Sequence, residues 1–199
     1  NGVDPIEFRL KHAKNPRDLA LIKAATEKAG WKPRVGPNKE QSGDVLKGRG
    51  FAYAQRNGSR VAIVAEVEVN RRTGRVWGRK FTVAHDCGQI IAPADLKQCI
   101  EGNICQGLSR ATLEEVRFDN NNVTSVDWET YPILDIMDMP EAIDIVLLDY
   151  PDQPPTGAGE PSIRPVAGAV ANAVFDATGV RIRRAPFTRE RVRQALSSA

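Results

Sequence analysis

Residues 61–69 read Val61-Ala62-Ile63-Val64-Ala65-Glu66-Val67-Glu68-Val69. Val61, Ile63, Ala65, Val67 and Val69 share one face and Glu66 and Glu68 the other, which is the two-residue period of a half-buried strand. Asn57-Gly58 just before it is the strongest short-range hairpin signal, so residues 50–55 are expected to pair as the preceding strand. Arg71-Arg72-Thr73-Gly74 turns the chain into a third strand over residues 76–84, giving an antiparallel meander with one buried face. The apolar run over residues 143–148 is expected to add a fourth strand.

Upstream, Asp4-Pro5-Ile6-Glu7 and Asn15-Pro16-Arg17-Asp18 each place a capping side chain before a first-turn proline and an acid, so two short helices should open the chain. The second carries Leu19, Ile22, Ala25, Thr26 and Ala29 on one stripe and stops at Gly30. Residues 35–47 are rich in Gly, Pro, Lys, Asn and Ser and read as a linker. The expected organisation is a helical pair over residues 1–34 belonging to a preceding domain, the linker, and an α+β domain over residues 48–199. In that domain an antiparallel sheet of about four strands is covered by two long helices.

Those helices come later. Pro93 opens the first, through about Glu115, with Leu96, Cys99, Ile100, Asn103, Ile104, Gly107, Leu108 and Ala111 facing inward at helical spacing. The second is expected over residues 163–178, capped by Ser162, stopped by Gly179 and apolar on nearly all sides. A final helix follows Thr188.

The 199 residues allow a real core, and a net charge of +3 does not resemble a nucleic-acid footprint. No apolar run approaches the roughly 20 residues of a membrane span, so the chain is expected to be soluble. Cys87, Cys99 and Cys105 form no Cys-x-x-Cys pair and read as small buried thiols; no metal-ligating set is read in this chain. His85, alone at the end of the third strand, reads as a satisfied structural group.

Gly157-Ala158-Gly159-Glu160-Pro161 carries the chemistry. Two glycines admit close approach, and the proline holds Glu160 extended. The carboxylate is either a solvated loop group or a general base on a rigid hinge.

Asp86-Cys87-Gly88, Ile91 with Pro93, Ile100-Glu101-Gly102, Gln106-Gly107-Leu108-Ser109, Gly157-Ala158-Gly159-Glu160-Pro161, Ala171-Asn172-Ala173 and Asp176-Ala177-Thr178-Gly179-Val180-Arg181 occur in this order. Together they resemble the C-terminal part of the molybdenum-binding large subunit of the xanthine dehydrogenase and aldehyde oxidase family, nearest the isoquinoline 1-oxidoreductase beta-subunit type. The resemblance implies a molybdopterin cofactor with molybdenum, its cytosine dinucleotide form left open, and iron-sulfur clusters on a partner subunit or domain. It implies oxidation of an aldehyde or N-heterocycle with water as oxygen source and Glu160 as general base. It also implies cofactor contacts from Cys87, Gly88, Gln89, Ile90, Cys99 and Gly159. Ala92 and Cys99 stand where the family usually has asparagine and glutamine. The implied partners are the remaining large-subunit segment and an iron-sulfur small subunit, with neither nucleic acid nor a membrane span; the compartment is left open. Molybdenum is not expected on this chain purified alone.

Two other readings remain: an assembly module without catalytic work, and a small-ligand-binding protein unrelated to molybdenum. The base reading requires Glu160 to face a concavity formed with the Cys87 segment. A carboxylate paired with an arginine in open solvent counts against it.

Overall fold

The computed structural model describes residues 2–38 and 40–198; Asn1, Lys39 and Ala199, which the expected segments include, lie outside the described residues. The elements are α1 (Pro5–His12), α2 (Pro16–Lys28), β1 (Val45–Arg56), β2 (Ser59–Asn70), β3 (Val76–Asp86), α3 (Pro93–Thr112), β4 (Ala142–Leu148), α4 (Val166–Thr178) and α5 (Arg189–Ser197). This is an α+β fold with one four-stranded sheet in the order β1-β2-β3-β4.

Capping sets the starts of α1, α2 and α5 as the sequence indicates. Asp4 accepts from the Ile6 and Glu7 amides, Asn15 from Arg17, and Thr188 from Arg191, satisfying first-turn donors that have no intrahelical partner. The buried stripe of α2 is Leu21, Ile22, Ala25 and Thr26, with Leu21 rather than Leu19 at its centre.

The β1–β2 hairpin turns through Asn57 (φ +48°) and Gly58 (φ +90°), the positive pair that a two-residue hairpin turn requires. β1 starts at Val45, so residues 45–47 of the expected linker are strand, paired with Asn70, Val69 and Glu68. The meander is buried on both faces rather than one. Val61, Ile63, Ala65, Val67 and Val69 meet α3 and α4, while Ala62 and Val64 meet Ile6, Leu21, Ile22 and Ala25 on the reverse side. The polar positions Glu66 and Glu68 mark only the far end of β2, beyond the reach of α1 and α2.

The fourth strand forms where expected but runs parallel to β3, so the sheet is mixed rather than wholly antiparallel. A parallel neighbour needs a long crossover, and residues 87–141, with α3 among them, supply one. Two helix boundaries also shift. α3 ends at Thr112, before Glu115. Residues Pro161–Ile163 form a short 3-10 turn, and α4 begins after Pro165 with no side-chain cap; its stop at Gly179 (φ +75°) is as expected. Ala167 and Gly168 are exposed, so α4 buries one side rather than its whole circumference.

That buried side lies directly on β1. A Cβ added at Gly48 would stand 2.1 Å from the Ala173 carbonyl oxygen, and one at Gly50 2.1 Å from that of Ala169. Gly107 gives α3 the same closeness to α4: its added Cβ would meet Val166 at 2.8 Å.

Candidate functional site

β3 delivers His85 and Asp86, both at 0% exposure, to the end of the sheet. Arg17 of α2 holds Asp86 with both arms of its fork: Nε donates to Oδ2 at 2.8 Å and Nη2 to Oδ1. Oδ1 also accepts from the Gly88 amide at 3.0 Å. At Gly88 (φ +77°) the chain turns so tightly that an added Cβ would stand 2.2 Å from the Pro154 carbonyl oxygen.

From there the Cys87–Ile90 segment and the loop after β4 are bonded to each other. The Tyr150 amide donates to Gly88 O at 3.2 Å, Gln89 N to Gln153 O at 3.1 Å, and Thr156 N to Cys87 O at 2.9 Å. Ile90 N donates to Asp149 Oδ1 at 2.9 Å. Arg17 spans both segments of this junction, reaching Gln153 Oε1 at 3.4 Å and lying over the Tyr150 ring at 4.7 Å.

The glycine loop continues from this junction. Ser59 Oγ donates to Gly157 O at 2.5 Å and is bonded to Thr156 Oγ1 at 2.7 Å, so the threonine hydroxyl is the donor of that second bond. Ala158 O accepts from the Cys99 thiol at 3.4 Å and from Asn103 Nδ2 at 3.5 Å. The buried amide of Asn103 thus finds a backbone partner. Cys87, Gly88, Gln89, Ile90, Cys99 and Gly159 therefore sit on segments that the fold draws together.

Glu160 sits differently from expectation. Its side chain is 62% exposed, and Oε2 lies 2.7 Å from Nη1 of Arg56, itself 38% exposed at the end of β1. A carboxylate paired with an arginine in solvent counts against a base in the chain taken by itself. An ion pair so exposed is worth about 0–1 kcal/mol, so it is a weak lock on the carboxylate. Ser162, expected as a helix cap, is instead fully buried with its hydroxyl unpartnered.

Burial is the main cause pushing the Cys87 and Cys105 thiols above their ordinary pKa, with nearby carboxylates adding to it, so neither is poised as a thiolate. Among the described residues no group of three or more His, Cys, Asp or Glu could hold a metal ion.

The donor set tests whether a phosphate-bearing cofactor fits. The amides of Gly88, Gln89 and Ile90 are already taken by Asp86, Gln153 and Asp149. The next segment suits it better: α3 starts at Ala92 with no side-chain cap, leaving first-turn amides open, whereas an asparagine there would compete for them. Gly157 and Gly159 have open space where a Cβ would stand. A phosphate therefore fits the open amides at the first turn of α3, and the glycine loop meets the same helix further along, at Cys99 and Asn103. Sequence reading missed Arg17, Ser59, Asp149 and Thr156. Each comes from a distant element and carries no motif of its own.

The profile of the molybdopterin cofactor-binding domain matches residues 19–140. A nicotinate dehydrogenase subunit of Pseudomonas putida is 46% identical over 204 residues, covering 98% of this chain and 17% of that protein. The beta subunit of isoquinoline 1-oxidoreductase from Brevundimonas diminuta is 31% identical, covering 94% and 23%. Among solved structures, quinoline 2-oxidoreductase from Pseudomonas putida 86 superposes with a TM-score of 0.65 at 29% identity, over 70% of this chain and 19% of that one. The chain thus spans about a fifth of the length of the curated relatives it matches. A profile match over more than half the chain, and a relative 46% identical along nearly all of it, place this protein in the molybdopterin cofactor-binding domain family of the xanthine dehydrogenase and aldehyde oxidase type.

Proposed function

We propose that this chain is the C-terminal cofactor-binding portion of a molybdenum hydroxylase that oxidises an aldehyde or N-heterocycle, with water as the oxygen source and Glu160 as general base. The observation that carries the reading is the bonded junction of the Cys87–Ile90 segment, the glycine loop and α3 at Cys99 and Asn103. When bound, the molybdopterin cofactor, in its cytosine dinucleotide or simpler form, supplies the two-electron oxidation. Electrons leave to iron-sulfur clusters on a partner subunit, and the remaining large-subunit segment closes the site.

The chain's own residues bind and orient. First-turn amides of α3 receive phosphate, with Cys87, Gly88, Gln89 and Ile90 walling that end. Cys99 and Asn103 fix the Ala158 carbonyl, which sets the path of Gly159 and so the direction of Glu160. Once the closing segment excludes bulk solvent, the carboxylate leaves Arg56 and takes the proton of the one reacting water.

The Arg56–Glu160 pair favours the assembly-module reading instead, and one variant separates the two. In the complete enzyme containing this chain, Glu160→Gln should lower kcat by about 10²- to 10⁴-fold with molybdenum content unchanged. Equal turnover by variant and wild type would assign the chain an assembly role.

A further inference from the structure

At the β1 edge of the sheet, α1, β1 and the C-terminal end of α4 line a cavity of about 240 Å³. Four guanidinium groups line it, from Arg9, Arg34, Arg49 and Arg181, against the single carboxylate of Asp176.

Two of the four are engaged. Arg34 Nη2 grips Asp176, which also accepts from the Arg49 amide at 2.8 Å. Arg49 pairs with Glu66 at 3.5 Å and donates to the carbonyls of Ala29 and Gly30 at the end of α2. Its Nε, facing none of these, is buried without an acceptor.

Arg9 and Arg181 have only uncharged hydrogen-bond partners among the described residues. Arg9 donates to Pro5 O at 2.9 Å and lies 5.3 Å from the centre of the Phe51 ring. Arg181 donates to Asn172 Oδ1 at 2.8 Å and lies 4.0 Å from the centre of the Phe175 ring. Asn172 in turn donates to Phe51 O at 2.9 Å, so both cations are built around one aromatic residue. Burial works against the charge on each, chiefly by desolvation, with the Asp4 carboxylate partly offsetting it at Arg9 and the Arg183 cation adding to it at Arg181.

A guanidinium held over a ring keeps less freedom, and its planar fork matches an oxyanion through two parallel N–H bonds. The cavity falls below the roughly 300–1,000 Å³ of sites for drug-sized ligands, so its occupant is small. We propose that this cavity binds a small oxyanion of the carboxylate or phosphate class between Arg9 and Arg181. The inference is independent of the cofactor reading and of Glu160.

Calorimetric titration of the full chain with sodium phosphate, and separately with sodium acetate, tests this against sodium chloride at matched ionic strength. Saturable binding of one equivalent is expected, at least about tenfold weaker in Arg9→Gln and in Arg181→Gln. It should be unchanged in Arg72→Gln, whose side chain is exposed beside Asp44 at another hairpin. Saturation by one anion and not the other supports the site and assigns its class. No saturation with either, or full affinity in both variants with wild-type melting curves, overturns it. If Arg181→Gln does not fold, Arg9→Gln on the accessible α1 helix decides alone.

Discussion

At the residue scale, His85 departs most from what its isolation in the sequence suggests. It is buried at 0% exposure, and both ring nitrogens lack a partner. A neutral imidazole there forgoes two hydrogen bonds, and a charged one would also lose its hydration. Burial therefore pushes its pKa down to about 4, against the weaker upward pull of Asp86. The unfolded ring takes a proton near pH 6.5 and the folded one does not until about pH 4, so the unfolded state binds more protons across that window. Stability falls as the pH drops through it, by roughly 3 kcal/mol for this residue, and is indifferent to it above pH 7. Urea unfolding at pH 7 and pH 4.5 should show His85→Leu losing roughly 2–3 kcal/mol less than wild type between the two conditions. An identical loss would mean that the folded ring accepts the proton. Glu160 illustrates the opposite case: its glycine-flanked motif is contiguous and easy to read, but its partner Arg56 lies on another element and nothing in the sequence announces it.

At the scale of elements, the sheet is organised by how closely helices approach it. Gly48 and Gly50 lie on the same face of β1, two residues apart, and each accommodates backbone of α4 rather than a side chain. Gly50→Ala has no flexible neighbour to displace, because the groups its methyl would strike are the Ala169 carbonyl and the Ala173 amide. The variant should lose about 3 kcal/mol or more, as overpacking against backbone does, and a melting scan reads this directly. Gly168→Ala, whose added Cβ would meet only Ala52 at 3.5 Å, should be close to neutral and serves as its control. The starts of α1, α2, α3 and α5, the hairpin turn and the position of the fourth strand were legible, since each depends on residues adjacent in the chain; the start of α4 was not. The direction of β4 was not, because an apolar run reads the same forwards and backwards; the crossover that includes α3 set it. The link from α2 to the Cys87–Ile90 segment through Arg17 was equally invisible, as Arg17 looks like any first-turn helix residue.

At the scale of the whole molecule, the distribution of exposed apolar residues and the length of the relatives agree. Phe118, Val126, Trp128, Ile136 and Met137 all stand exposed between α3 and β4, with Trp128 at 79%. The face bearing Gly159, Glu160 and the start of α3 is likewise open. No helix among the described residues is long and apolar enough to cross a membrane. The matched relatives are several times longer, and under the proposed function the missing length supplies the rest of the cofactor site. Purified alone, the 199-residue chain should therefore carry no stoichiometric molybdenum. Elemental analysis by mass spectrometry measures it, and a ratio near one metal per chain would show that the chain alone suffices.

What the sequence by itself determined is local: the caps of α1, α2 and α5, the Asn57-Gly58 turn, the alternation of β2, and a series of short motifs whose order resembles the family. These follow from backbone geometry and side-chain period, which act over a few neighbouring residues. Only the tertiary structure decided that the sheet is covered on both faces, that β4 runs parallel, that Asp86 is clamped by Arg17, and that Glu160 meets Arg56. Those are pairings between residues far apart in the chain, chosen by which surfaces can be buried together.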